Sequence, residues 1–437
     1  MAKVSKYVKT GLKVLMYGIA SGVYWARSSI GQLKSDGSPK KRVLVVEVTR
    51  AEPSNSFERI LPAMRDRNIQ TDFYSWGKLR VSKPRLLVRA LCLAWKAAQS
   101  DVIFLCEACP AVGNLRLRQD VQVVQLWHGC GAFKRFGMST ANMRFGASRE
   151  EKKRFSEHRN TTLVTVSSPE VCWAYVEALD MAERPEVVQP LGISRTDGFF
   201  DKDQLSVWRS QALDVVPQIA GKKVLLWAPT FRGQTEAAVA PDFLDLEVLY
   251  HRLGDDWRVL VKHHPHVRNR PVLPASCDGF VFDVSDTLSI ESAMAAADVC
   301  VTDYSSLVFE WSLLDRPVAF LAPDLDDYDD WRGFYYDYDQ MTPGPVFTTT
   351  EELVRWVCEL PGSFNKDELA EFRKKFMSSC DGYATERILD VVFGQLETGL
   401  ARAKGDSPLC TQSQKRAKGD SPLWPALRVG GEASHVG

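Results

Sequence analysis

Short apolar runs rich in β-branched residues recur along the chain. Arg42–Val48 (RVLVVEV) has the composition of a parallel strand buried on both faces. Asp101–Cys106 (DVIFLC), Gln122–Trp127 (QVVQLW) and Thr162–Val166 (TLVTV) repeat that character, and Ser56–Arg67 and Arg85–Gln99 between them carry helical spacing. Strands alternating with helices predict βαβ units and a parallel sheet. The alternation pauses near Leu191. It resumes at Val224–Trp227, Trp257–Val261, Gly279–Asp283, Val299–Thr302 and Pro317–Leu321. The pattern therefore predicts an α/β protein with a first unit over 41–192, a linker over 193–222 and a second unit over 223–398. Ligands of such sheets bind outside the carboxyl ends of the strands, so two units facing one another would enclose a cleft there.

Both ends of the chain break the pattern. Lys3, Lys6, Lys9 and Lys13 alternate with apolar residues, and the uncharged stretch Val14–Trp25 is too short for the ~20 residues of a membrane-crossing helix. Residues 1–30 read as a basic amphipathic helix lying on an anionic leaflet, with Tyr24 and Trp25 at the interface. An ordinary surface helix and a signal peptide are competing readings. Residues 31–41 (GQLKSDGSPKK) look like a linker. From 399 to 437 the chain carries RAKGDSPL twice, at 402–409 and 416–423, in a Gly-, Ser-, Pro- and Lys-rich context that predicts a disordered tail.

A length of 437 residues suits two or three domains, and the hydrophobic content of 45% is ordinary for globular chains. Lys+Arg and Asp+Glu stand at 55 each, so any basic surface must be local; no nucleic-acid partner is expected. The ten cysteines form no framework. Cys106 and Cys109 make a CxxC without a second ligand pair, which reads as free thiols at the end of a buried strand, with zinc as the rival reading.

Polar clusters follow four of the predicted strands. Trp127–Lys134 (WHGCGAFK) offers His128 as a general base and Lys134 as a phosphate counter-charge. Ala228–Gly233 (APTFRG) brings Thr230 and Arg232, a hydroxyl and a guanidinium fork suited to phosphate. Lys262–His266 (KHHPH) concentrates three of the seven histidines. Phosphate or base chemistry by Lys262 and His264, a metal site and a solvated loop are the alternatives there. Thr302–Ser306 (TDYSS) sets Asp303, Ser305 and Ser306 before the helical run Leu307–Leu314; serines at a helix start can cap it and bind phosphate. Arg332, in Arg332–Tyr335 (RGFY), is a further phosphate or base contact.

Taken in order, these motifs, together with Gly192, Arg195 and Asp197 (GxxRxD), resemble the CDP-glycerol glycerophosphotransferase family of teichoic acid primases and polymerases. The likeness is strong over 120–345. It implies a GT-B-like fold of two Rossmann-like domains facing a central cleft, with the acceptor domain first and the CDP-donor domain second. His128 would be the base that activates the acceptor hydroxyl. Arg232, His264, Ser305 and Ser306 would hold the pyrophosphate, with His264 assisting departure of CMP. Thr230, Lys262 and Arg332 are further donor-side candidates, and Lys134, Arg195 and Asp303 are candidate phosphate or acceptor contacts.

The implied reaction moves glycerol phosphate, or a related polyol phosphate, from CDP-glycerol or CDP-ribitol to a hydroxyl of a lipid-linked polymer or primer, at the cytoplasmic face of the membrane. No cofactor is required by this chemistry, no metal-binding residue is assigned, and metal dependence and homo-oligomer formation are open. A GT-B glycosyltransferase using a nucleotide sugar, a non-catalytic membrane scaffold, and a metal hydrolase using His263, His264 and His266 are the rival readings.

Overall fold

A computed structural model describes residues 2–33, 41–77, 82–141, 143, 148–233 and 237–394, and the side chains of all of these but 2–9, 31–33 and 329–332. The repeat-bearing tail, most of the 31–41 segment and the side chains of Lys3, Lys6, Lys9 and Arg332 lie outside that description.

The first lobe runs α1 (Ala2–Leu33), β1 (Arg42–Glu47), α2 (Ile60–Asp66), β2 (Gln70–Ser75), α3 (Lys83–Ala97), β3 (Val102–Leu105), α4 (Pro110–Asn114), β4 (Gln122–Gln125), α5 (Arg149–Arg154), β5 (Leu163–Thr165), α6 (Cys172–Ala178) and β6 (Val188–Gln189). Its six strands are parallel, in the order β2-β1-β3-β4-β5-β6. Residues 193–222 are ordered. They form a 3₁₀ turn at Ser194–Phe200 and α7 (Lys202–Val215), which Asp201 caps through the amides of Asp203 and Gln204.

The second lobe runs β7 (Lys223–Trp227), α8 (Leu246–Leu253), β8 (Trp257–Val261), β9 (Val281–Asp283), α9 (Ile290–Ala296), β10 (Val299–Thr302), α10 (Leu307–Trp311), β11 (Val318–Leu321), α11 (Leu325–Arg332), β12 (Val346–Phe347), α12 (Thr350–Cys358), α13 (Lys366–Phe376) and α14 (Ala384–Phe393). Its six parallel strands are ordered β12-β11-β10-β7-β8-β9. The order reverses between β7 and β10, so the loops leaving these neighbours diverge and open a crevice at their carboxyl ends.

Burial explains the apolar runs. On one face of the first sheet, Leu44, Val46, Ile103 and Leu105 pack under Met16, Ala20 and Tyr24 of α1 and Leu93 and Ala94 of α3. On the other face, Val43, Val45 and Phe104 meet Ile60 of α2 and Ile388, Leu389 and Val392 of α14. The last described helix thus completes the core of the first lobe. Tyr24, expected at a membrane interface, is fully buried, and its hydroxyl accepts from the Arg118 amide at 3.2 Å; Trp25 is the residue that faces outward. Among the described residues no helix is long and apolar enough to cross a membrane.

Candidate active site

The crevice at the β7–β10 switch point is built by the two loops that follow those strands. Asp303, fully buried after β10, accepts from the backbone amides of Thr230 at 2.8 Å and Tyr304 at 2.6 Å, which ties the loop after β7 to the loop after β10. Arg232 completes the knot. Its Nε and Nη2 form a fork on the two oxygens of Asp324 at 2.7 and 3.1 Å, and Nη1 lies 2.9 Å from Asp303 Oδ2 and donates to the Thr230 carbonyl at 2.6 Å. The guanidinium also lies 5.0 Å from the centroids of Tyr304 and Tyr328. Its donors are therefore directed at protein acceptors.

Lys262 is similarly engaged. Its ammonium donates to the carbonyls of Ser285 at 2.8 Å and Val284 at 3.5 Å and to that of Leu288, and so folds the loop between β9 and α9. Burial lowers its pKa.

The three imidazoles after β8 diverge. His263 turns away into an outer cavity of about 700 Å³ with Trp227, Phe243 and Val261. His264 and His266 lie tilted against one another with ring centroids 4.7 Å apart, and His264 lies 4.9 Å from the Phe231 ring. Among the described residues no group of three or more His, Cys, Asp or Glu side chains is arranged to hold a metal ion.

His264 Nδ1 accepts from the His266 amide at 3.2 Å, which leaves the ring proton on Nε2. His264 is exposed to solvent. Partial desolvation, then the charges of His266, Lys134 and His128, bring its pKa down to about 4.

Ser305 accepts the Leu307 amide at 3.2 Å, while Ser306 makes no capping bond at the start of α10. The hydroxyl of Ser306 points across the crevice to the first lobe: a Cβ placed on Gly129 would lie 3.9 Å from it.

His128 belongs to that facing loop. It follows β4, next to Trp127, which holds a φ of 60° and stacks its ring on the imidazole at 4.8 Å. His128 Nδ1 lies 3.2 Å from the Cys106 carbonyl. A carbonyl can only accept, so the proton sits on Nδ1 and the Nε2 lone pair is left for the cleft. Desolvation, partly offset by that carbonyl, and the charge of Arg195 hold the pKa of His128 below the ordinary imidazole value. Neutral imidazole is the form a general base requires.

A second-lobe strap fastens the same loop. The Arg135 amide donates to the Gly333 carbonyl and the Tyr335 amide to the Phe133 carbonyl, both at 3.1 Å, with Lys134 bridged to Phe334 between them. Phe133 packs edge-on to Phe334 and Phe309 at 5.5 and 6.3 Å. The ammonium of Lys134 lies 6.0 Å from the Tyr328 ring centroid. Arg195 is buried between Glu291 and Glu310.

The cleft thus brings together His128, Lys134, His264, Ser305 and Ser306, with Thr230 and Asp303 in the floor. Arg232, Lys262 and Arg195 sit behind it, bound to carboxylates or carbonyls. Tyr335 belongs to the RGFY motif but carries no role in the sequence reading, and Arg135 and the carboxylates of Glu291, Glu310 and Asp324 carry none either. A single signal was available for one of them: Glu310 is the lone charge in the apolar run LVFEW.

Residues 39–394 match the family described as CDP-Glycerol:Poly(glycerophosphate) glycerophosphotransferase. The chain belongs to this family. Among its curated relatives within the glycerophosphotransferases, the teichoic acid poly(ribitol-phosphate) polymerase of Bacillus spizizenii is 34% identical over 359 residues, 82% of this chain and 57% of its own length. The teichoic acid ribitol-phosphate primase of the same organism is 30% identical over 400 residues, 90% of this chain and 100% of its own. The chain therefore spans little more than half of that polymerase and the whole of the primase. Among solved structures, the wall teichoic acid polymerase TagF superposes with a TM-score of 0.68 at 22% identity, covering 89% of this chain and 97% of that one. That likeness extends to the fold, the GT-B arrangement of two doubly wound lobes. The two-lobed α/β architecture expected from the strand pattern is thereby the observed one.

Proposed function

We propose that this glycerophosphotransferase-family chain transfers a polyol phosphate from a CDP-activated donor to a hydroxyl of a lipid-linked teichoic-acid-type acceptor and releases CMP. The observation that carries this reading is the pairing of two imidazoles from opposite lobes, one offering a lone pair and the other an N–H.

In this reading His128 Nε2 removes the proton of the acceptor hydroxyl. The oxygen attacks the β-phosphorus of the donor, a new P–O bond forms, and the bond from that phosphorus to the bridging oxygen breaks. The electron pair leaves on the CMP phosphate. His264 Nε2–H and the hydroxyls of Ser305 and Ser306 bind the charge that builds on the leaving group, and Lys134 faces it from the first lobe. Phosphoryl transfer asks a protein chiefly for alignment and charge stabilisation, which this set supplies. Thr230 and Asp303 shape the floor. Arg232 and Lys262 act through the loops they hold, and Arg332 is a further donor contact.

The same reading sets the protein against the cytoplasmic leaflet of the cell membrane. α1 and α3 pack side by side, and their sequences contain Lys and Arg but no Asp or Glu. Leu12, Leu15, Ile19 and Trp25 of α1 and Val88 and Trp95 of α3 are solvent-exposed, and Arg27 lies 4.6 Å over the Trp95 ring. Apolar side chains with basic neighbours are what an anionic bilayer surface binds.

The test is a donor screen on the full chain with a lipid-linked acceptor. CMP release from CDP-ribitol or CDP-glycerol, with product mass rising by polyol phosphate increments, is expected. CDP-ribitol comes first, because both relatives named above carry ribitol phosphate in their names. Release of UDP from UDP-sugars with no turnover of either CDP-polyol would replace this reading with a glycosyltransferase.

A further inference from the structure

The motif left without a chemical role by the proposed reaction is Gly192, Arg195 and Asp197. Each residue fastens the segment after β6 to a later part of the chain. Gly192 has a φ of 87°, and a Cβ there would overlap the Ser379 carbonyl oxygen, so only glycine allows this approach. The carboxylate of Asp197 accepts from the amides of Ala384 at 3.0 Å and Thr385 at 2.7 Å and so caps α14 from a distance.

Between these two anchors Arg195 reaches into the second lobe. Its Nη1 donates to Glu291 Oε1 at 3.2 Å, in the first turn of α9, and its Nη2 is bonded to Glu310 Oε1. All three side chains are buried, with exposures of 12, 6 and 4%. Burial raises the pKa of Glu310 and the Arg195 charge opposes that rise. Asn55 of the first lobe also donates to Glu291, so the bridge is reached from the first lobe as well as from the Ser194–Phe200 turn.

The location gives the bridge its meaning. Glu310 lies one helical turn beyond Ser306 on α10, on the same face. Its neighbour Phe309 occupies the space left by the missing side chain of Gly131, within the His128 loop. Holding Glu310 therefore holds Ser306 against that loop. Both terminal nitrogens of the guanidinium are committed to carboxylates.

We propose that Arg195 is a positioning residue whose bridge to Glu291 and Glu310 sets the distance between the His128 loop and Ser306, and so governs turnover while leaving donor affinity to the second lobe. This rests on the proposed reaction, in which the base comes from one lobe and the donor site from the other. Misplacing reacting groups by an ångström can cost roughly 100-fold in rate.

The test compares Arg195→Lys, which keeps the charge but not the fork, with Glu310→Gln, which keeps the size and one acceptor. In both, donor Kd for CDP-ribitol or CDP-glycerol, measured by calorimetry, should match the wild type, while kcat falls by roughly 100-fold for the lysine variant and less for the glutamine variant. Glu310→Gln carries the test if the lysine variant does not fold. A rise in donor Kd with kcat unmoved would make Arg195 a donor contact and overturn the proposal. So would kinetics identical to the wild type. Hydrogen exchange supplies an arm independent of the substrate: amides in 128–134 and in 305–311 should lose protection together in either variant. If the wild type neither binds nor turns over CDP-polyols, the proposed reaction fails, and unchanged protection of both segments would then sink the positioning role separately.

Discussion

His128 and His264 use their Nδ1 atoms in opposite senses: Nδ1 of His128 donates to the Cys106 carbonyl, whereas Nδ1 of His264 accepts from the His266 amide. The cleft therefore receives a bare Nε2 from the first lobe and an Nε2–H from the second. An acceptor hydroxyl and a leaving phosphate need those two forms, and neither ring has to change its proton before the reaction begins.

The pH dependence follows. Desolvation and the Arg195 charge hold the pKa of His128 below the ordinary imidazole value of 6.5, so most of the base is neutral at pH 6.5. The acid limb of the pH–kcat profile should have its midpoint below 6.5. A midpoint at or above 7 would show that another group limits turnover.

Stability should carry its own imidazole signature. His158 is buried, and burial followed by Arg184 pushes its pKa down to about 4, from 6.5 when unfolded. Between those values the unfolded chain binds the extra proton, so the contribution is present above 6.5 and is lost as pH falls toward 4. His158→Phe should flatten the stability–pH curve in that window, as read by denaturant melts. An unchanged slope would reassign the acid sensitivity.

The Arg232 knot predicts a stability phenotype. Asp303 is fully closed to solvent, whereas 20% of the Arg232 side chain is exposed. Removing Asp303 leaves Arg232 its fork on Asp324 but strips the buried Thr230 and Tyr304 amides of their acceptor, which costs about 1–3 kcal/mol for each donor left unpaired. Asp303→Ala should lower Tm accordingly. An unchanged Tm with lost donor binding would mean that the carboxylate faces the ligand instead.

Much of this arrangement was legible in sequence, and the reasons for the rest are specific. β8 and β10 were delimited as observed, because strands buried on both faces write their bounds in apolar residues. β2 (QTDFYS) was not, since an edge strand with polar positions lacks that run. The 3₁₀ turn and α7 within 193–222 could not be read from the chain because their packing is tertiary. His128 and Ser306 could be read from their places after strands. The partners of Arg195, Arg232 and Lys262 could not, because a cation in a motif looks the same whether it meets a phosphate or a distant carboxylate. Tyr24 failed as a membrane anchor for a similar reason: its face of α1 is decided by contact with the sheet.

The α1–α3 surface should bind lipid. Full-length protein should float with vesicles containing phosphatidylglycerol and less so with pure phosphatidylcholine, and high salt should release it. Leu15→Glu and Trp95→Glu alter exposed positions, so the fold should persist while flotation is lost. Flotation equal to the wild type would remove the surface from the account.

Closure of the two lobes should be sensitive to a single methyl group. Gly131 has a φ of 61° and lies against the Phe309 ring. Gly131→Ala should cost about 1–3 kcal/mol from backbone strain and crowding and should reduce kcat more than donor affinity. Calorimetry with steady-state kinetics reads both, and equal losses would mean that the loop serves the donor site alone.

The division of labour between the lobes is tested most directly by donor binding and CMP release measured side by side on His128→Ala. The folded variant should bind CDP-ribitol or CDP-glycerol as the wild type does, while CMP release falls by roughly 10²–10⁴-fold. Near-normal CMP release from that variant would contradict the account.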